Sequence, residues 1–331
     1  MSGFQPEDRG SIPLWRILKM TEEANKQPEE EKQEIVKKKI DWSKLYNKNY
    51  KIILFIPVAL FVFSVIFLFQ FNATNGDIIL KDVSLTGGTT ITVFDTTITP
   101  EEVKEALRPQ FPDLLSRGIS DIRTGQQQAF FIETVSEVSV IKQALEDFLG
   151  YKLTTENSST EFTGSTISSG FYQQLRISIL IAFIFMASVV FLVFKTPIPS
   201  LAVIISALAD IVFTIVVIDL FGISLSTGGI VAILMLIGYS VDTDILLTTR
   251  VLRKKQGSLN ERMLGAFKTG ITMTLTSILA IAVALVIIYN FSETLRQIFS
   301  ILLIGLSFDL LNTWLTNASI LKWYAEAKNI R

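Results

Sequence analysis

The 331-residue sequence contains no cysteine and no histidine. The first absence rules out a disulfide framework and any thiolate metal or redox site. The second removes the commonest zinc and haem ligand and the one side chain that titrates unaided near neutral pH. Any proton relay must then run on carboxylates, lysine, tyrosine or water. An excess of one charge is also missing, since 30 Lys and Arg stand against 31 Asp and Glu. The sequence shows no nucleotide, metal or nucleic-acid site. The Gly87-Gly88 pair falls on an expected strand and makes no phosphate loop. No cofactor is expected, and no cleavable signal peptide, because no apolar core closely follows the start.

The chain does have long apolar blocks. Ile52–Phe71 is almost unbroken and long enough to span a bilayer. Five further spans are expected at about Leu175–Phe194, Ile198–Phe221, Leu225–Leu247, Met263–Tyr289 and Leu295–Leu321. Pro57 near the start of the first could kink it. The basic residues alternate with these spans. Lys37–Lys51 holds six Lys/Arg against Asp41, and Arg250–Lys268 holds six against Glu261. By the positive-inside rule both lie in the cytoplasm, as do both termini. Over Asn72–Tyr172, seven Lys/Arg face fourteen Asp/Glu, the opposite bias, so that segment is placed outside. The expected organisation is a cytoplasmic segment 1–51, a span 52–71, an extracytoplasmic domain 72–170 and a five-helix bundle 171–331. Within the first segment, Ser11–Met20 has spacing that would suit a helix lying on a membrane surface, with a solvated tail as the alternative.

The extracytoplasmic segment carries its own pattern. Val83–Phe94 alternates as a strand around the glycine pair, and Thr99–Leu107 opens as a helix with Thr-Pro-Glu-Glu. Ile119–Thr124 and Ala129–Thr134 suggest two strands joined by a turn, and Ser136–Leu149 an amphipathic helix. Tyr151–Thr155 begins a last extended stretch, and Asn157–Gly170 is expected as a linker back to the membrane. The order βαββαβ is that of a ferredoxin-like α+β unit. Glycosylation sequons occur at Asn72, Asn157 and Asn290. Ser258-Leu-Asn-Glu261 is a capping box opening the fifth span, and Gly265, Gly270 and Gly305 allow close helix approach.

Four carboxylates sit well inside these spans, Asp210 on the third, Asp242 and Asp244 on the fourth and Asp309 on the sixth, while Asp219 lies at the interfacial outer end of the third. Insertion scales charge ~2.5–3.5 kcal/mol for one aspartate at the centre of a span. An acid kept at that cost marks a proton or ion pathway by default, with silent capping or pairing to Lys268 or Asn312 as the structural alternative. A carboxyl taken out of water favours its neutral form, which suits a group that loads and releases protons. Asp242 and Asp244 point about 200° apart on a helix, so one is expected to face a neighbouring helix of this chain and the other a second interface or the water layer. Asp242 is the first candidate carrier, with Asp244 as substitute. An intramembrane aspartyl protease would show Gly-x-Gly-Asp, whereas Tyr239-Ser-Val precedes Asp242. The chain is therefore not expected to be an enzyme.

Two motifs carry a resemblance. Asp82-Val-Ser-Leu-Thr-Gly-Gly-Thr-Thr-Ile91, with Gly87 and Gly88, looks like the glycine-pair strand of the SecD/SecF family. Ile237-Gly-Tyr-Ser-Val-Asp-Thr-Asp-Ile-Leu-Leu-Thr-Thr-Arg250, with Gly238, Tyr239 and Ser240, looks like its fourth-span motif. From Lys51 onward the chain resembles the SecF branch of that family, in its archaeal form, within the RND superfamily. The resemblance implies a six-helix bundle in the cell membrane that aids protein export. It also implies a SecD-like subunit, the Sec translocation channel and exported polypeptides as partners, with the proton gradient as drive. Asp210 matches the family's third-span acid and Arg250 the arginine at the inner end of the fourth span. Bacterial relatives read Gly-Tyr-Ser-x-Asn-Asp-Thr, which puts their aspartate on Thr243, and their fifth-span arginine on Lys268. The proton- or ion-coupling candidates are thus Asp242, Asp244, Asp210, Asp309, Lys268 and Arg250. A small-molecule exporter of the same fold and a non-transporting scaffold are the other readings.

Overall fold

The computed structural model describes residues 42–121, 124–253, 257–289 and 292–329. The Ser11–Met20 segment and the Asn290 sequon lie outside the described residues. The chain divides into two units, 1–49 and 50–331. Of the first, only the opening of a helix at Trp42 is described.

The second unit is a helical membrane-type bundle carrying a small α/β domain. Among the described residues, six helices are long and apolar enough to cross a membrane: Tyr50–Asn75, Ser165–Phe194, Pro197–Leu220, Thr227–Arg253, Leu259–Ile288 and Thr294–Ala327. We call α1 Trp42–Asn75, α5 Ser165–Phe194, α6 Pro197–Leu220, α7 Thr227–Arg253, α8 Leu259–Ile288 and α9 Glu293–Asn312. A π-helical turn, Thr313–Asn317, joins α9 to α10, Ala318–Ala327. Pro57 lies within α1 without ending it. The expected Ser258–Glu261 capping box opens α8, each residue bonding the other's backbone N–H.

The helices are buried very unequally. About 61% of the apolar window of α6 and 56% of that of α7 lie inside the protein, against 11% for α1 and α5 and 6% for α8. The bundle is therefore centred on α6, α7 and α9. Its core runs through Ile218, Ile230, Ile233, Leu236, Ile301 and Leu306.

Between α1 and α5 the chain builds the α/β domain: α2 (Val83–Thr86), β1 (Gly88–Val93), α3 (Pro100–Leu107), β2 (Leu115–Ser120), β3 (Gln127–Thr134), α4 (Val138–Leu149) and β4 (Ser158–Thr163). The sheet order β2-β3-β1-β4, all antiparallel, is that of the expected ferredoxin-like unit. Ile91, Val93, Phe130 and Ile132 point to one face and pack against Val103, Leu107, Ile141 and Leu145 of the two helices. Thr99 and Glu102 cap α3 reciprocally.

Four expectations need correction. Val83–Thr86 is a helical turn, because Asp82 caps it by accepting from the Ser84 backbone N–H at 2.9 Å, so the strand starts only at Gly88. The second strand is Leu115–Ser120 rather than Ile119–Thr124, since Asp121 already begins the turn by accepting from the Thr124 N–H. The expected linker Asn157–Gly170 is instead β4 and the start of α5. Tyr151–Thr155 is not in a strand; β4 starts at Ser158 and pairs along the whole of β1.

The domain is hooked onto the bundle. The Leu225 N–H donates to the Leu80 carbonyl at 2.6 Å, and the Asp82 N–H donates back to the Leu225 carbonyl at 3.1 Å. The Thr227 N–H, first in α7, donates to Ser84 Oγ at 3.0 Å. Gln297 of α9 closes the turn between α6 and α7, donating to the Ser224 carbonyl at 2.6 Å and accepting from the Ser226 N–H and hydroxyl.

Candidate functional site: a buried carboxylate layer

Helical spacing selects which polar residues of the spans face inward. On α6, Ser206, Asp210 and Thr214 recur every four residues and are all fully buried. On α7 the inward row is Leu236, Ser240, Asp244, Leu247 and Thr248. Asp309, Asn312, Thr313 and Asn317 of α9 and the π turn complete the layer, none more than 1% exposed.

Asp210 is saturated. Its Oδ2 accepts from the Ser240 hydroxyl at 2.6 Å, and its Oδ1 accepts from Asn312 Nδ2 at 2.6 Å. Thr316 orients that amide, donating to Asn312 Oδ1 at 3.1 Å. Asp244 Oδ1 accepts from Asn317 Nδ2 at 2.8 Å, and Asp309 Oδ1 accepts from the Thr313 hydroxyl at 3.3 Å. Among the described residues, the second oxygens of both, Asp244 Oδ2 and Asp309 Oδ2, meet no donor in good hydrogen-bond geometry, although the Ser206 hydroxyl stands beside Asp244 and the Ser240 hydroxyl beside Asp309. Among the described residues, Asn317 Oδ1 and Thr248 Oγ1 have no partner either.

Among the described residues no cation answers these acids. Among the described residues the ion pairs are Lys81–Asp77, Lys142–Glu146 and Lys322–Glu326, all outside the layer. Leaving an ionised carboxylate unpaired in such surroundings costs several kcal/mol.

The π turn makes this layer possible. In a regular α-helix residues five apart differ by about 140° in direction. An i→i+5 turn widens the helix locally. Here the Ala318 N–H donates to the Thr313 carbonyl, five residues back. Asn312 and Asn317 are thereby brought to bear on two acids of neighbouring helices.

The other candidates lie elsewhere. Asp242 and Lys268 are both exposed on the bundle surface, with Gly238 and Tyr239 beside Asp242 on the same face of α7. No ion pair joins them among the described residues, where both side chains are exposed. Arg250 braces α7 against α8, donating from Nη1 to the Gly265 carbonyl at 2.7 Å. Gly87 and Gly88 are at the root of the α/β domain. Of the inward residues, Ser206, Thr313 and Asn317 had escaped notice in the sequence. For Ser206 and Thr313 the signal was phase, since each falls four residues from an aspartate, whereas Asn317 reaches its acid only through the π turn.

A second electrostatic cluster sits on the face of the sheet away from α3 and α4. Glu133 of β3 is raised from the usual 4.5 to about 7, first by burial and then by the Asp82 carboxylate, with Arg117 of β2 opposing. Burial likewise pushes Asp82 up.

A family described as "Protein export membrane protein SecD/SecF, C-terminal" matches residues 142–327. The protein-export membrane protein SecF of Methanocaldococcus jannaschii is 38% identical over 84% of this chain and 96% of its own length. That of Methanothermobacter thermautotrophicus is also 38% identical, over 85% and 95% respectively. Among solved structures, the translocon-associated SecDF from a Thermus species superposes with a TM-score of 0.65 at 14% identity, a likeness of fold alone. The match covers 84% of this chain and 38% of that longer one.

Proposed function

The chain belongs to the SecF branch of the SecD/SecF protein-export family, and on that premise we propose that it couples the proton gradient to export together with a SecD-type subunit. One observation carries the coupling. Asp210, Asp244 and Asp309 are fully buried at membrane depth, and none takes part in an ion pair among the described residues. Asp210, bonded through both oxygens, is the static member. Asp244 and Asp309, each with an open oxygen, are the members that load and release.

Exposed Asp242 and Lys268 form the face that meets the partner's bundle, since lipid would leave both charges without company. The solved SecDF chain, of which this fold covers 38%, has room for such a second bundle. The α/β domain, residues 72–170, stands outside the cell membrane, where it contacts exported polypeptides near the Sec channel. Residues 1–51 and the C-terminus are cytoplasmic, and 171–331 form the bundle.

The test is gradient-driven export by membranes carrying Asp244→Asn. A neutral amide mimics the protonated acid, so assembly with the SecD-type subunit should persist while gradient-stimulated export is lost. Undiminished stimulation in the variant would refute the coupling role.

A further inference from the structure

We propose that the outer edge of β4 is a docking site for extended stretches of exported polypeptide, which join the sheet as an added strand. This rests on the reading that the α/β domain contacts exported chains. The sheet order leaves two edges, β2 and β4. The β2 edge is blunted. A bulge breaks its register at Ile119 and Ser120, the ring of Pro100 closes on Gly118, and Arg117 stands beside Arg296 of α9. Bulges, charges and cover are the usual protection of a sheet edge.

The β4 edge is open. Just before it, the Phe94 N–H donates to the Asn157 carbonyl at 2.9 Å. Bonded pairs alternate along an antiparallel ladder, so Ser159, Glu161 and Thr163 are the residues of β4 that bond to β1. Ser158, Thr160 and Phe162 turn their backbone groups outward. In keeping with that phase, the Ser158 N–H donates to the Thr154 carbonyl at 2.9 Å rather than to β1. Among the described residues, the N–H and C=O of Thr160 and Phe162 form an unpaired row. No proline interrupts the strand, and Glu161 is its one charge. Thr160 and Phe162 sit opposite Ile91 and Thr89 and share their helix-side face, yet both are exposed. Neither α3 nor α4 therefore overhangs β4, and Phe162, 57% exposed, offers its ring to an incoming chain.

In strand addition, main-chain hydrogen bonds give affinity and side-chain pockets give specificity. Small exposed hydroxyls flank this edge, so it accepts backbone with little regard to sequence, as a subunit serving many exported chains requires. Only Gly164 separates β4 from α5, which holds the edge close to the membrane from which such chains emerge. Charge disfavours other occupants. With seven Lys/Arg against fourteen Asp/Glu over Asn72–Tyr172, two copies of the domain repel each other and anionic headgroups are held off.

The experiment exploits the natural absence of cysteine. The full chain bearing Glu161→Cys, in lipid nanodiscs, is mixed with short unstructured peptides of unrelated sequence, each carrying one cysteine, and disulfide yield is measured. We expect every peptide to cross-link, and the same peptides with alternate backbone nitrogens methylated to yield severalfold less. Adding Thr160→Pro removes an outward N–H that β1 does not use, a change edge strands tolerate. It should cut the yield severalfold, whereas Thr160→Ala should leave it unchanged. Equal yields from methylated and unmethylated peptides overturn the proposal, even where Thr160→Pro fails to fold. An unchanged yield in folded Thr160→Pro chain does the same. Cross-linking at Val140→Cys of α4 but not at Glu161→Cys would keep the domain as a polypeptide contact and remove this edge alone. No cross-link at either position removes both readings. In membranes carrying the SecD-type subunit, cross-linking of Glu161→Cys to that subunit or to a second copy, in place of the peptides, assigns the edge to that occupant and overturns the proposal.

Discussion

Asn312 and Asn317, five residues apart on one helix, hold two different aspartates: the first donates to Asp210 and the second to Asp244. The π turn between them allows it, and π turns inside α-helices recur at functional sites. Deleting Leu315 should convert the turn to regular helix and swing Asn317 and everything after it by about 100°. Loss of gradient-driven export with retained membrane insertion is the outcome expected. Separately, Asn312→Leu strips one bond from a buried carboxylate and should cost ~1.5–3 kcal/mol. Denaturation of the purified chain measures it; a change below a few tenths would mean Asp210 does not rely on that amide.

Asp242 should behave quite otherwise. It is exposed on the bundle and pairs with nothing in this chain among the described residues. Asp242→Asn and Lys268→Gln should each leave the isolated chain within about 0.5 kcal/mol of wild type. Both should weaken co-purification with the SecD-type subunit. Strong destabilisation of the isolated chain by either variant would show that the charge is used internally.

The helix phase that separates these two acids was legible in the sequence only as an alternative. The spacing of Leu236, Ser240, Asp244 and Leu247 marks one stripe, but Tyr239 and Asp242 make another of similar polarity, and burial decides between them. The six spans were readable because twenty apolar residues have few other solutions. The ferredoxin-like order was readable from period-two and period-3.6 patterns. Strand β4 was hidden because Ser158–Thr163 is polar and lies at a sheet edge, where backbone pairing with β1 rather than side-chain burial holds it. The π turn left no local trace beyond the two asparagines. Its energetic reward comes from helices distant in sequence.

Two glycines should resist substitution for different reasons. Gly88 has φ +145°, and an added Cβ would run into the Thr134 carbonyl of the paired strand. Gly88→Ala therefore combines backbone strain of ~1–3 kcal/mol with a clash that rigid backbone cannot relieve. On α8, a Cβ at Gly270 would lie 2.6 Å from the Trp314 ring, which is itself packed on Phe267 at 4.9 Å. Gly270→Ala should cost ~1–3 kcal/mol by overpacking, and Trp314→Phe in the same chain should recover part of it. Melting of the single and double variants checks this.

Glu133 sets a pH dependence of its own. Its carboxyl is raised from 4.5 to about 7, so the folded protein holds that proton more tightly than the unfolded chain does. The associated stability is complete below about 4.5 and is lost as pH rises through about 7. Glu133→Gln should therefore gain on wild type as pH increases across that window and show no further relative change above it. Asp95, held down to about 2 by the hydroxyls of Thr97 and Tyr151, titrates well below this range and does not blur the comparison. Parallel melting curves for the two proteins from pH 4 to 8 would contradict the assignment.

The hook between the α/β domain and the bundle has a mechanical consequence. Leu80 and Asp82 grip Leu225, and Ser84 holds the first residue of α7. From Thr227 to Asp244 runs an unbroken helix, about 25 Å of stiff rod at 1.5 Å per residue. A tug on the domain is thus delivered to the near end of that rod, and its far end is anchored by Asn317. The domain and the carboxylate layer behave as the two ends of one pushrod, so neither can be displaced along the helix axis without loading the other.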